Sequence, residues 1–209
     1  MAVLIHSSRL DRERLAEVSD RDLLTAVGRD DEVALDELIG RKAGPLLQLA
    51  FRMVADREEA RDVVQLAFVR VWEHRDRYDP RYAPNTWLYR IVTNLAIDHL
   101  RARDSRERQS EPLRHHLHAV ATAGHRNLAD LEQREVSRIL EELAAGLSER
   151  QRAVFVLREL EGLPSESVAA ILGCRPSTVR NHLASARRRL RGELRRRYPE
   201  YAAVAEASP

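Results

Sequence analysis

The stretch Leu163 to Arg191, L-P-S-E-S-V-A-A-I-L-G-C-R-P-S-T-V-R-N-H-L-A-S-A-R-R-R-L-R, admits few folds. Ser165 is placed to cap a short helix whose inward residues are Val168, Ala169 and Leu172. Gly173 then supplies a turn residue able to take positive φ at no steric cost. Pro176 or Ser177 opens a second helix with Val179, Leu183, Ala186 and Leu190 on its apolar side. Two short helices, a tight glycine turn and small alanines at the crossing make a helix-turn-helix. The second helix is of the kind that enters a DNA major groove. Its groove-facing candidates are Ser177, Thr178, Arg180, Asn181, Ala184, Arg187 and Arg188, with Arg175 just before it. Arginine matches guanine edges and asparagine matches adenine edges. The competing reading is a helical hairpin with a basic, solvated face.

Charge favours DNA. The chain has 209 residues and a formal net charge of only +2. Yet Arg175 to Arg197 holds nine arginines against one acid, Glu193, a local net charge of +8. Such a patch suits phosphates, which position a protein on DNA without specifying sequence. Charged residues make up 33% of the chain and aromatics 5%, which suits small helical cores rather than one large one.

A second stretch, Thr86 to Arg103, reads as one helix with two faces. Trp87, Leu88, Ile91, Val92 and Leu95 lie on one side and are expected to pack on a core. Arg90, Asn94, Asp98 and Arg101, spaced by four, four and three, form a polar stripe on another. Just before it, Tyr78 to Asn85 (Y-D-P-R-Y-A-P-N) is expected to be a loop, from its two prolines. Tyr78 and Tyr82 in that loop are candidates to stack on unpaired bases, with Arg81 and Asn85 beside them.

The remaining segments are also helical in spacing. Residues 1–19 read as a poorly ordered lead-in. Ser19 or Asp20 caps a helix that ends at Gly28, and Asp30 and Asp31 open a second, which Gly44-Pro45 is expected to interrupt, Pro45 either kinking it or starting a new helix. Asp56 to Tyr78 reads as one helix with Val64, Phe68, Val71 and Trp72 inward and Asp62, Gln65 and Arg70 exposed. From Asp104 to about Asp130 the periodicity fails, which suggests a linker with one short helix near Leu113 to Val120. Helical spacing returns from Leu131 to Leu147. Ser148 then caps a further helix, with Gln151 near capping-box placement.

Several function classes drop out. A lone cysteine, Cys174, permits neither an intramolecular disulfide nor a multi-cysteine metal site, and His115, His116, His118 and His125 lack partners at ligand spacing. No run of eighteen apolar residues is present, so no membrane insertion is expected. The N-terminus lacks the pattern of a secretory signal, which points to a cytoplasmic protein. There is no phosphate-binding loop and no nucleophile elbow, so neither enzyme activity nor a cofactor is expected. The rivals left are a DNA-binding regulator that uses only the helix-turn-helix and a helical adaptor.

Three segments taken together resemble bacterial RNA polymerase sigma factors of the sigma-70 family, extracytoplasmic-function (ECF) group. They are E-E-A-R-D-V-V-Q-L-A-F-V-R-V-W, then Y-D-P-R-Y-A-P-N-T-W-L-Y-R-I-V-T-N-L-A-I-D-H-L-R, then L-S-E-R-Q-R-A-V-F-V-L-R-E-L-E-G-L with the helix-turn-helix. The resemblance implies an all-α chain of two small domains joined by a flexible linker. A region 2-like domain would cover 20–103, a linker 104–130 and a region 4-like domain 131–198, with a tail at 199–209. It implies that Asp62, Gln65, Phe68 and Trp72 bind polymerase. Tyr78, Arg81, Tyr82, Asn85, Arg90, Asn94, Asp98 and Arg101 would read the −10 element, and Arg175 with the groove-facing set named above the −35 element. Implied partners are core RNA polymerase (β′ clamp and β flap), promoter DNA and an anti-sigma factor, with the protein itself a monomer. Two departures from the family pattern stand out. Leu35 and Ile39 replace expected aromatics, and the loop carries both Pro80 and Pro84.

Overall fold

The computed structural model describes residues 17–110, 142–143 and 146–199. The expected lead-in up to residue 16, most of the linker with its histidines, most of the helix expected from Leu131 and the tail beyond residue 199 lie outside these. All regular structure among the described residues is helical. In order the helices are α1 (Asp20–Val27), α2 (Glu32–Val54), α3 (Arg57–Glu73), α4 (Pro84–Ser110), α5 (Glu149–Phe155), α6 (Ser165–Leu172) and α7 (Pro176–Arg197), with a 3₁₀ turn at Arg75–Arg77 and a π-turn at Val156–Leu160.

Side-chain caps set the starts of the first three helices. Ser19 Oγ accepts from the Asp22 N–H, and Asp31 Oδ1 accepts from Val33 and Ala34 at 3.0 Å each. Asp56 Oδ1 accepts from Glu58 and Glu59 at 2.8 and 2.9 Å. Such caps satisfy amide groups that have no partner inside the helix.

Of the two alternatives at Pro45, no new helix starts there, and α2 continues through it. Proline there gives up one main-chain hydrogen bond. Completely buried Leu38, Leu49, Ala50 and Met53 on the same helix offset that loss. The expected helix Asp56 to Tyr78 is shorter, ending at Glu73. Pro84 belongs to the first turn of α4, where its missing N–H costs nothing, so the loop before α4 is shorter than expected. At its other end α4 runs on to Ser110, past Arg103.

The packed face of α4 is also offset from the expected one. Leu88, Val92, Ala96, Ile97 and Leu100 are buried, whereas Trp87, Ile91 and Leu95 are only partly so. The face is broad because α4 packs on α2 and α3 of the N-terminal half and on α5 and α6 of the C-terminal half.

In the C-terminal half, Ser148 and Gln151 form the expected capping box. Pro164, not Ser165, holds the cap position of α6, and no side chain caps that helix. Gly173 takes φ +62°, as the turn requires, and α7 buries Val179, Leu183, Ala186 and Leu190.

Candidate nucleic-acid interface

Three exposed faces carry the residues singled out in the sequence. The first is on α3. Asp62, Gln65 and Arg70 are exposed, and Leu66 and Val69 stand among them with 43% and 50% of their surface free. Phe68 is 8% exposed and packs inside. Trp72 is partly buried and carries the Arg75 guanidinium over its ring at 4.5 Å. Of the four residues assigned to polymerase, then, Asp62 and Gln65 share the outward face, while Phe68 belongs to the core and Trp72 to its edge. Leu66 and Val69 were missed. They lie four and seven residues after Asp62, hence on its face, and an apolar residue on a polar face was the available signal.

The second face joins the loop to α4. Tyr78 is not free in it. Its ring packs against Trp87, with centroids 5.4 Å apart, and its hydroxyl donates to the Tyr82 carbonyl at 3.2 Å. Burial pushes the Tyr78 phenol pKa up. Asp79 accepts from the Arg81 N–H at 2.9 Å and from the Arg81 guanidinium at 2.6 Å, and these bonds hold its carboxyl below the usual range. The Tyr82 N–H donates back to the Asp79 carbonyl at 3.0 Å. These bonds fix a small ring of backbone that leaves Tyr82 59% exposed. At the start of α4, Lys42 donates to the Asn85 side chain at 3.0 Å and pairs with Asp20. Along α4 the stripe Arg90, Asn94, Asp98 and Arg101 is exposed throughout, as its spacing demands. Arg101 is engaged by Glu149 at 2.9 Å.

The third face is on α7. Ser177, Arg180, Asn181, Ala184, Arg187 and Arg188 are exposed along one side, with Thr178 half-buried and Arg175 exposed at the cap position. Arg187 pairs with Glu159 at 2.9 Å. Among the described residues no cluster of His, Cys, Asp and Glu has the arrangement of a metal site, and no helix is long and apolar enough to cross a membrane. Cys174 is a half-buried free thiol in the turn.

An exposed basic face on α7 and a separate exposed tyrosine loop leading into the Asn/Arg stripe of α4, among described residues whose regular structure is all helical, are the features of a nucleic-acid-binding protein. Residues 38–106 match the family description Sigma-70 region 2, and residues 137–190 match Sigma-70, region 4. The chain is 34% identical over 180 residues to the RNA polymerase sigma-H factor of Pseudomonas aeruginosa, covering 83% of this chain and 92% of that protein. It is 29% identical to the ECF sigma factor SigW of Bacillus subtilis, covering 81% and 93%. Among solved structures, CnrH in complex with the cytosolic domain of CnrY superposes with a TM-score of 0.62 at 25% identity, covering 85% of this chain and 98% of that one. The chain belongs to the sigma-70 family of bacterial RNA polymerase sigma factors, in its ECF group. It is a non-enzymatic factor that binds core RNA polymerase and directs transcription to promoters.

Proposed function

We propose that the three faces divide the work of promoter selection. The outward side of α3, with Asp62, Gln65, Leu66, Val69 and Arg70, docks on the polymerase clamp. Tyr82, Arg81 and Asn85, with Arg90, Asn94, Asp98 and Arg101 on α4, hold −10 bases that have left the stack. The exposed side of α7 reads −35 duplex, with Arg180 and Asn181 on base edges and the arginines beyond Leu190 on phosphates. Two functional parts result, 20–110 and 131–198, joined by the segment between them, which begins after the end of α4 at Ser110 rather than at Asp104. The observation that carries this reading is that Tyr82 stands 59% exposed in a hydrogen-bonded loop leading into α4, whose Asn/Arg stripe is exposed.

Magnitudes bound what the protein does alone. Each base-pair step opened costs about 1.4 kcal/mol of stacking. One base stacked on an aromatic ring returns ~1–3 kcal/mol. Tyr82 therefore offsets one or two steps, and polymerase supplies the rest of the bubble. The site of action is accordingly the cytoplasm, with the protein acting as a monomer.

Control by an anti-sigma factor belongs to the same reading. The superposing CnrH structure is a complex with the cytosolic domain of CnrY, and RpoE of Bartonella quintana, which shares the fold (TM-score 0.59), was crystallised with the anti-sigma factor NepR. Run-off transcription with core polymerase on a pool of promoter fragments tests the proposal. Transcripts that start only when the protein is present, and that are lost in Y82A, support it. Retention of duplex by the protein with no transcript would instead show a regulator that uses α7 alone.

A further inference from the structure

We propose that Lys42 and Asp20 fix the polarity of Asn85, so that Asn85 meets an unpaired base as a hydrogen-bond donor and selects against adenine. The proposal rests on the assignment of Asn85 to −10 bases in the preceding section, and it names the chemistry by which Asn85 reads them.

The sequence singles out Lys42. The chain holds 35 lysines and arginines, and Lys42 is the one lysine among them. It stands midway along α2, beside Arg41, and its side chain is 15% exposed. An ammonium is a compact charge with three donors and no acceptor, whereas a guanidinium is a flat fork. Lys42 points its donors across two helix contacts. One partner is Asp20 of α1, and the other is Oδ1 of Asn85, in the first turn of α4, at 3.0 Å.

Asp20 is itself held by a second cation. Arg41 donates to it at 3.4 Å, and also to the Val18 carbonyl and to Glu37 at 2.7 Å each. Val18 and Asp20 flank Ser19, whose side chain caps α1. The ammonium of Lys42 therefore stands between an anchored carboxylate and the Asn85 amide, and both Lys42 and Asp20 act as positioning residues for Asn85.

The consequence is chemical. An unengaged asparagine offers an acceptor and two donors, and it pairs with adenine by using both kinds together. An ammonium cannot accept, so the Asn85 atom that faces Lys42 must be the oxygen. The oxygen is thereby turned toward α2, and the NH₂ of this exposed residue is what remains for a ligand. A cation on the oxygen also polarises the amide and strengthens those N–H donors.

A side chain that presents donors matches carbonyl oxygens. Guanine, cytosine and thymine each carry at least one, and adenine carries none. The adenine acceptor N7 stands beside the N6 amino group, which would meet the Asn85 NH₂ donor to donor. Tyr82, three residues earlier and 59% exposed, stacks on any base, since every base has a π-face. Stacking holds the base, and Asn85 selects it.

The test uses holoenzyme assembled from core polymerase and the full chain, transcribing a promoter recovered by run-off. Each −10 position is set in turn to A, C, G and T. The readout is the ratio between templates for one protein, which does not depend on how much of that protein folds. N85A identifies the position by losing discrimination there. At that position wild type should disfavour adenine about 3- to 10-fold, the range of one hydrogen bond. K42M leaves Asn85 in place but frees its oxygen, and should bring adenine level with the other bases. N85D keeps the shape but turns an acceptor outward, and should make thymine, the base without an amino group, the poorest template. K42M/N85A should match N85A, as two residues acting through one contact require. A wild-type preference for adenine at that position, or an unchanged ratio in K42M or N85D, would overturn the proposal. Transcription in which N85A alters no position would instead overturn the assignment of Asn85 to −10 bases, and no transcription by wild type the functional reading as a whole.

Discussion

Leu66 and Val69 offer the sharpest separation of surface from core on α3. Burying a whole leucine or valine side chain contributes about 1.5–3 kcal/mol. With 43% and 50% of their surface free in the unbound chain, each can contribute roughly half of that on docking, ~0.7–1.5 kcal/mol. L66A/V69A should therefore weaken binding to core polymerase by ~1.5–3 kcal/mol, roughly 10- to 150-fold. Folding stability should change little, because exposed substitutions stay within about 0.5 kcal/mol each. F68A should behave in the opposite way. That ring is 8% exposed, and truncating a buried phenylalanine costs about 3–5 kcal/mol of stability, a large share of a typical total. Titration of labelled protein with core polymerase gives the first quantity and urea unfolding the second. Undiminished polymerase affinity in L66A/V69A would refute the placement of the docking face on this side of α3.

Y82A should weaken capture of single-stranded −10 DNA by polymerase holoenzyme by ~1–3 kcal/mol, while Y82F, which keeps the ring, should bind nearly as wild type in a competition assay. R180A should relax base preference at one −35 position at a cost of about 1–3 kcal/mol, whereas R195A should weaken all sequences alike and reduce the salt slope by about one, both read by quantitative footprinting at several salt concentrations. At Gly173, where φ is +62° and an added Cβ meets nothing within 4 Å, G173A should cost ~1–2 kcal/mol in thermal unfolding from backbone strain alone. The hydrogen bond from Arg101 holds the Glu149 carboxyl below its usual range, with Arg150 adding to the effect. The folded chain thus binds fewer protons at Glu149 than the unfolded one. The pair's contribution to stability is fully present above the ordinary carboxylate range and is lost as pH falls through the depressed value. Stability in urea unfolding should drop on acidification through that range in wild type, and less so in E149Q.

Helical periodicity made most of the elements legible because each amphipathic stripe is a local property of the chain. The caps at Ser19, Asp31, Asp56 and Ser148, the turn at Gly173 and the inward set of α7 all follow from residues within one or two turns of each other. The misreadings arose where a distant contact overruled local chemistry. Pro45 did not start a new helix because α2 is held by buried Leu38 before it and buried Leu46 and Leu49 after it. Tyr78 read as a free loop aromatic, but Trp87, nine residues on, supplies a packing partner that spacing alone does not reveal.

The same reasoning explains why the contacts between distant segments left no mark on the sequence. Arg52 and Glu161 are 109 residues apart, and Arg152 meets the Met53 carbonyl across 99. Periodicity identifies the face of α4 that is buried, not what buries it. A helix buried over so broad an arc, yet carrying an exposed polar stripe, packs against both halves of the chain and still keeps one side free. Arg101 sits at the boundary between those demands: Glu149 of α5 holds it, while it lines up with Arg90 and Asn94 on the exposed side of α4.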